Sequence, residues 1–162
     1  MKHAHWILVF SLACGSAWAD EDISKVNGRI SAEAGKTYGD LETVNGSIEI
    51  GAATQTKNVE TVNGSIQVGE HARTGGVSTV NGDITVGLGS HVRGGILVTK
   101  PNFGFSFKPN RKPRVIIGPN AVVDGPLKFE REVTLYVHRS AKIGAVTGAT
   151  ARSFDGDVAP ED

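Results

Sequence analysis

The sequence predicts an all-β fold, a single-stranded parallel β-helix (β-solenoid) whose coils each take about 18 residues. Three observations predict it: the phrase Val-Asn-Gly recurs at a constant interval, an alternating apolar triplet follows each copy, and no proline interrupts the stretch. A short constant period indicates stacked structural units and not one globular core, and it leaves the handedness of the stack undecided. The four copies begin at Val26, Val44, Val62 and Val80.

Residues 1–19 have the composition of a secretory signal peptide. An apolar run at residues 7–13 precedes Ala17-Trp18-Ala19, which matches the small-x-small pattern of a signal-peptide cleavage site. We expect cleavage near Ala19, a mature chain that begins at Asp20, and a periplasmic or secreted location. The apolar run is too short to cross a bilayer, and we expect no transmembrane segment in the mature chain.

The single cysteine, Cys14, gives an alternative interpretation of this segment. A bacterial lipoprotein signal has a lipidated cysteine after its apolar run, normally with leucine three positions earlier, where this chain has Ser11. Cleavage at Ala19 is favoured because the A-x-A match is better. The mature chain then lacks cysteine and depends on no disulfide. Since 17 basic residues balance 17 acidic ones, no overall charge favours nucleic acid or anionic membrane.

Each repeat combines a corner with a strand pattern. An isoleucine lies four positions after the valine of Val-Asn-Gly, and a second apolar residue follows it, as in Ile48 and Ile50. This period-two alternation places both side chains on one face of a strand. Because no single repeat buries its apolar face, we expect equivalent residues of successive coils to stack in the core, the valine of each Val-Asn-Gly included.

The asparagine of each Val-Asn-Gly recurs with the same exact spacing. Glycine adopts positive φ at no steric cost, and asparagine tolerates tight corners. The spacing favours a structural ladder, in which each side-chain amide bonds to the next coil, over unconnected turn residues. The predicted members are Asn27, Asn45, Asn63 and Asn81.

The repeat continues in altered form after the four clear copies. We align the corner after Val86 with the corners after Ile117 and Val137. The step from Val86 to Ile117 is 31 residues, which is one coil and 13 extra residues. We therefore predict a β-solenoid domain of roughly seven coils at residues 20–148, with an inserted loop at residues 100–114.

The two ends of the solenoid matter because open sheet edges favour pairing with other chains. Residues 149–162 are polar and acidic and are predicted to form a frayed tail. We identify no strong cap after Ile143 in the sequence. Self-association through the solenoid ends is therefore expected.

The inserted loop differs in composition from the repeats. Its phenylalanines alternate with small residues, so in an extended segment they share one face, and basic residues flank them. An aromatic face with local positive charge suits an anionic glycan or an envelope component. The alternative, which we favour, is that the aromatic rings cover one side of the solenoid. The candidate binding residues are Lys100, Phe103, Phe105, Phe107, Lys108, Arg111, Lys112 and Arg114.

No catalytic residue, metal site or cofactor is predicted, and the chain is not expected to be an enzyme. His71, His91 and His138 fall at different offsets within the repeat, so they are interpreted as exposed surface residues and not as a ligand set. Sugar-cleaving enzymes need paired carboxylates, whereas the acidic residues here are scattered. Nucleic acid is not expected as a partner of an exported chain.

A threonine row also recurs in register, at Thr43, Thr61 and Thr79. Outward rows of threonine and asparagine on a flat face are similar to ice-binding surfaces. A structural role is favoured, because threonine rows are common in β-solenoids and only three coils contribute here.

Two stretches resemble known families of repeat proteins. Val-Asn-Gly-Ser-Ile, at residues 44–48 and 62–66, resembles the bacterial β-strand repeat family of adhesin-like exported proteins. The glycine-punctuated coil at residues 117–125 resembles the polymer-forming bactofilins. These resemblances imply a non-enzymatic structural scaffold or an adhesin-like module of the bacterial cell envelope. Bactofilins are cytoskeletal and have no cleaved signal, so the export signal departs from that family.

Overall fold

The computed structural model describes residues 20–101 and 111–161, and these residues form a parallel β-solenoid of about seven turns. The described residues contain eighteen strands and no helix, which confirms the predicted fold class. Each regular coil has three sides, and the equivalent sides of successive coils form three parallel sheets. The described ranges contain no apolar helix of membrane-spanning length.

The first sheet has seven strands and carries the Val-Asn segments of the repeats. Its strands, in order across the sheet, are β1 (Glu21–Asn27), β3 (Tyr38–Asn45), β5 (Val59–Asn63), β8 (Val77–Asn81), β11 (Ile96–Val98), β14 (Leu127–Phe129) and β17 (Val146–Thr147).

The second sheet also has seven strands and carries the alternating apolar triplets. Its strands, from the N-terminal end of the solenoid, are β2 (Ile30–Ala32), β4 (Ile48–Ile50), β6 (Ile66–Val68), β9 (Ile84–Val86), β12 (Arg114–Ile117), β15 (Thr134–His138) and β18 (Ala151–Phe154).

The third sheet has four short strands. They are β7 (Arg73–Thr74), β10 (His91–Val92), β13 (Val122–Val123) and β16 (Lys142–Ile143). Single bridges join Thr37 to Gln55 and Gln55 to Arg73, so the same side exists in the first coils with fewer paired residues.

The strand register accounts for all 13 extra residues of the irregular coil. His91 pairs with Arg73, 18 positions away (91−73), whereas Ile96 pairs with Val77, 19 positions away (96−77). One extra residue therefore lies just before β11. The other 12 lie between β11 and β12, since Val115 pairs with Ile84. Both additions fall at corners, where they leave the stacked strands in register.

The core consists of columns of apolar side chains, one column for each inward position. Ile30, Ile48, Ile66 and Ile84 are each at most 1% exposed, and like residues stack on each other as predicted. Tyr38, at the start of β3, is buried near the N-terminal end of the core, and its hydroxyl accepts a hydrogen bond from the N–H of Glu33 at 3.0 Å. A large aromatic ring thus fills the N-terminal end of the core.

The prediction that the valines of Val-Asn-Gly lie in the core is wrong. Val26, Val44 and Val62 are 67%, 40% and 38% exposed. The strands of the first sheet already point Leu41 and Thr43 inward, so alternation directs Val44 outward.

The threonine row lies inside the solenoid and not on a flat outer face. Thr43, Thr61 and Thr79 are at most 4% exposed. Each hydroxyl donates to the carbonyl oxygen of a corner glycine in the preceding coil, at 2.9–3.5 Å. This bond satisfies a buried hydroxyl, which explains how a polar residue occupies a core position.

Positive φ explains only one glycine of the four Val-Asn-Gly corners. Gly28, in the first coil, has φ 106°, whereas Gly46, Gly64 and Gly82 have no positive φ. At Gly64 the constraint is close approach of the backbone, since an added Cβ would lie 1.9 Å from the carbonyl oxygen of Gly46. Glycine is required there because coils contact each other directly.

Residues 149–161 differ from the frayed tail that the sequence predicts. Strand β18 lies within them and pairs with β15 along four residues. Phe154 packs edge-on against Tyr136 and His138, and the following segment returns over the outer face of the second sheet as far as the buried Ala159. The buried Phe154 holds this segment on the solenoid, although the composition of the segment is mostly polar.

Matched valine substitutions test the inward and outward assignment. Val59→Ala removes buried methyl groups from a residue that is 0% exposed and should lower the free energy of unfolding by about 2 kcal/mol. Val62→Ala, three residues later on the outer face, should change it by less than about 0.5 kcal/mol. Urea denaturation of the two variants measures the difference, and equal costs would contradict the assignment.

Candidate functional site

The four asparagines form one continuous side-chain ladder along a corner of the solenoid. Asn45 Nδ2 donates to Asn27 Oδ1 at 3.1 Å, and the next two steps, from Asn63 and Asn81, measure 3.0 and 3.1 Å. All donors point towards the N-terminal end, so the row is polarised. Its last member, Asn81, presents an amide oxygen towards the coils above.

Arg131 completes this ladder at its upper end. In the coil above Asn81 the equivalent position is Lys100, at the start of the insertion, so the asparagine row stops at Asn81. Arg131, just after β14, reaches across the gap, and its Nη1 donates to Asn81 Oδ1 at 2.6 Å and to the Val80 carbonyl at 2.9 Å. A cation therefore meets the acceptor end of an aligned row of amide dipoles, which is the favourable polarity.

A second ladder lies at another corner and was missed in the sequence. Asp22 Oδ1 accepts the backbone N–H of Asp40 at 2.8 Å, Asp40 accepts that of Asn58 at 2.9 Å, and Asn58 accepts that of Gly76 at 3.0 Å. The 18-residue spacing of these residues was a usable signal. The sequence interpretation of scattered acids does not find it, because the row consists of two aspartates followed by an asparagine.

The base of the inserted loop is tied to the solenoid by ion pairs. The Arg111 guanidinium contacts one oxygen of the Asp83 carboxylate, and the other oxygen accepts the backbone N–H of Arg114 at 2.8 Å. The Lys112 ammonium contacts Glu132. Asp83 and Arg111 line a cleft of about 420 Å³ that also includes Arg131. Two charges of each sign thus anchor the loop.

Arg114 lies under the C-terminal segment. Its guanidinium is 5.1 Å from the centre of the Tyr136 ring, and its Nη2 donates to the carbonyl oxygens of Ala159 and Pro160. The base of the inserted loop and the end of the described chain therefore meet on the outer face of the second sheet.

The candidate binding residues do not converge on one described surface. Arg111, Lys112 and Arg114 each contact a group of the same chain, and Lys100 is exposed at the start of the loop. The predictions for Phe103, Phe105, Phe107 and Lys108 fall outside the described residues.

The histidines lie apart from these features. His91 contacts the Asp124 carboxylate, and His138 Nδ1 is 2.8 Å from Ser140 Oγ. Among the described residues, no group of three or more His, Cys, Asp or Glu side chains is arranged to hold a metal ion. On a different corner, the hydrogen bond that Lys36 donates to the Glu33 carboxylate, and then the negative charge of that carboxylate, raise the pKa of Lys36.

The C-terminal end of the solenoid is open in the described part of the chain. Strands β16, β17 and β18 are the last members of their sheets. The inward residues of this final coil are only partly covered: Ile143 and Val146 are half-buried, and Ala151 is exposed. At the N-terminal end, Ile30, the equivalent of Ala151, is 1% exposed, whereas Ile23, the equivalent of Val146, is half-buried.

These features define a β-solenoid with polar ladders along its corners and, in the described part of the chain, a final coil whose strands have no further partner. A comparison with protein-family models, with curated proteins and with solved structures found no match to the chain.

Substitutions at two positions of the asparagine ladder test its contribution to stability. Asn63→Ala removes two ladder bonds and should lower the free energy of unfolding by about 2 kcal/mol, whereas Asn27→Ala removes one and should cost about 1 kcal/mol. Urea denaturation measures both values. Two equal costs would mean that the amides act as separate turn residues.

Proposed function

We propose that this chain is an exported, non-enzymatic β-solenoid, a structural scaffold or adhesin-like module of the bacterial cell envelope, that self-associates through its C-terminal end. Residues 1–19 support export through their resemblance to a signal peptide. The ladders support a structural role, because their polar side chains are engaged in bonds between coils. The observation that carries the proposal is the open final coil.

The backbone of the final coil explains why the partner is another solenoid. Within residues 20–101 and 111–161, strands β16, β17 and β18 each have one unpaired edge, and these edges surround a partly exposed apolar end. A row of backbone donors and acceptors at strand spacing is satisfied by another strand. These three edges surround one core, and the end of a second copy of this chain has the same arrangement. A second copy can therefore extend the three sheets and the apolar columns together.

The N-terminal end differs in burial and in charge. Tyr38 fills its core, and its edge strand β1 begins with acidic residues at Glu21 and Asp22. The C-terminal end carries the exposed Lys142, whereas Arg139 at this end pairs with Asp155. This opposite charge favours contact between the two different ends, whereas the open apolar core favours contact between two C-terminal ends.

Two lysine substitutions at the C-terminal end test this assembly. Ala151→Lys introduces a charge at an inward position of the final coil that is exposed in the monomer, so it should leave folding intact and abolish association. Thr147→Lys introduces the same charge on the outer face of that coil and should leave association unchanged. Sedimentation velocity of residues 20–162 over a concentration series measures association.

The form of the wild-type assembly identifies the contact. A closed dimer means that two C-terminal ends meet, and filaments in negative-stain images mean that a C-terminal end meets an N-terminal end. A wild-type chain that stays monomeric at all concentrations, or two lysine variants with equal behaviour, would contradict the proposal.

The alternative function is a carbohydrate- or envelope-binding protein that uses the loop at residues 100–114. One observation weakens this alternative. Three basic residues at the loop base contact groups of their own chain, so they attract an external anion less strongly. The phenylalanines on which this alternative depends lie outside the described residues.

Replacement of residues 100–113 by Asn-Gly separates the two functions. Thr99 and Arg114 occupy the positions of Val80 and Asp83, so two residues rebuild a regular corner. We expect the variant to fold and to associate like the wild type, as measured by circular dichroism and sedimentation. Wild-type binding to dextran sulfate that this folded variant loses would instead support the loop as the functional site.

A further inference from the structure

The four Asn-Gly pairs share one sequence and one corner of the fold, but their backbone bonding differs. Asparagine followed by glycine is prone to spontaneous deamidation, because the unhindered glycine nitrogen can attack the asparagine side chain. In the first three corners this nitrogen is engaged. The N–H groups of Gly28, Gly46 and Gly64 donate to the asparagine carbonyl of the next coil at 2.9, 3.1 and 3.2 Å.

Gly82 lacks the equivalent bond. In the next coil the residue equivalent to Asn81 is Lys100, at the start of the insertion, and its carbonyl does not accept the Gly82 N–H. Among the described residues, no hydrogen-bond acceptor meets the N–H of Gly82. The attacking nitrogen of the fourth pair is therefore free of the restraint that holds the other three.

Arg131 adds a second difference at the same corner. Its guanidinium donates to Asn81 Oδ1 at 2.6 Å, whereas in the first three pairs the equivalent oxygen accepts from a neutral amide. Attack on the side-chain carbonyl carbon places negative charge on this oxygen. A cationic donor stabilises that charge more than a neutral one does, in the manner of an oxyanion hole.

We propose that Asn81 is a site of spontaneous covalent modification, which converts to aspartate and isoaspartate through a succinimide. The Gly82 nitrogen gives up its proton to solvent and bonds to Asn81 Cγ, while the Cγ–Nδ2 bond breaks and Nδ2, which takes up one proton from solvent, leaves as ammonia. Water then adds to one of the two imide carbonyls. Opening at Cγ yields aspartate, and opening at the backbone carbonyl yields isoaspartate, with no oxidant or cofactor consumed.

The surroundings of Asn81 also accommodate the product. The new carboxylate lies beside Arg131 and can form an ion pair with it. Isoaspartate adds one atom to the backbone path. This lengthening falls where the next coil already leaves its regular course, so the strands above and below can keep their register.

The three other Asn-Gly pairs serve as controls within one molecule. Residues 20–162 are incubated in neutral buffer, digested, and analysed by mass spectrometry that separates aspartate from isoaspartate. We expect Asn81 to deamidate about tenfold faster than Asn45 and Asn63, since its nitrogen has no hydrogen bond to break. Equal rates, or a faster rate at Asn45 or Asn63, would overturn the proposal.

Two further measurements distinguish the effect of the fold on the deamidation rate from the effect of the neighbouring residues in the sequence. In concentrated urea the deamidation rates of the four asparagines should converge, because only the folded coils distinguish them. If Asn81 still reacts faster in urea, the difference comes from its sequence neighbour Asp83, and the structural explanation is overturned. Arg131→Gln keeps a neutral donor and should slow the reaction at Asn81 while the other three rates stay unchanged. An unchanged or faster rate at Asn81 would overturn the role of the cation.

Discussion

The structure depends on in-register parallel pairing between successive coils. Each coil has too little apolar surface to bury alone, so its stability comes from its neighbours. Pairing at an interval of 18 residues places isoleucine on isoleucine, threonine on threonine and asparagine on asparagine. A slip of one residue would exchange the inward Thr43 for the outward Val44 and would also break the ladders, so core and corners enforce the same register.

This constraint decides where the chain tolerates additional residues. The single extra residue before β11 and the twelve after it both fall at corners, and the strands that flank them pair as if nothing intervened. The long insertion has a cost, since it removes the next rung above Asn81 and Gly82. Arg131 offsets the loss at the side chain of Asn81 but leaves the backbone N–H of Gly82 unmatched.

The sequence predicts the fold well because the fold repeats. A constant period and alternating apolar triplets determine the coil, its isoleucine-rich side and the asparagine row. Alternation alone does not decide which residues of the first-sheet strands point inward, since Thr43 and Val44 are both plausible core residues. The threonines point inward because their hydroxyl groups form hydrogen bonds there. Strand β18 was hidden because Ala-Arg-Ser-Phe has no apolar alternation. Arg131 could not be assigned to the ladder from sequence, because it lies 50 residues from Asn81.

The distribution of polar bonds along the solenoid indicates where the chain can interact. Along the corners, asparagine and aspartate side chains are bonded from coil to coil, and the basic residues at the loop base are paired with groups of the same chain. Unmatched hydrogen-bonding groups therefore concentrate where the repeat stops, at the final coil and at the corner below the insertion. A regular solenoid satisfies the backbone groups of each coil through the next coil, so in the described part of the chain unmatched groups lie where this repetition ends or is interrupted.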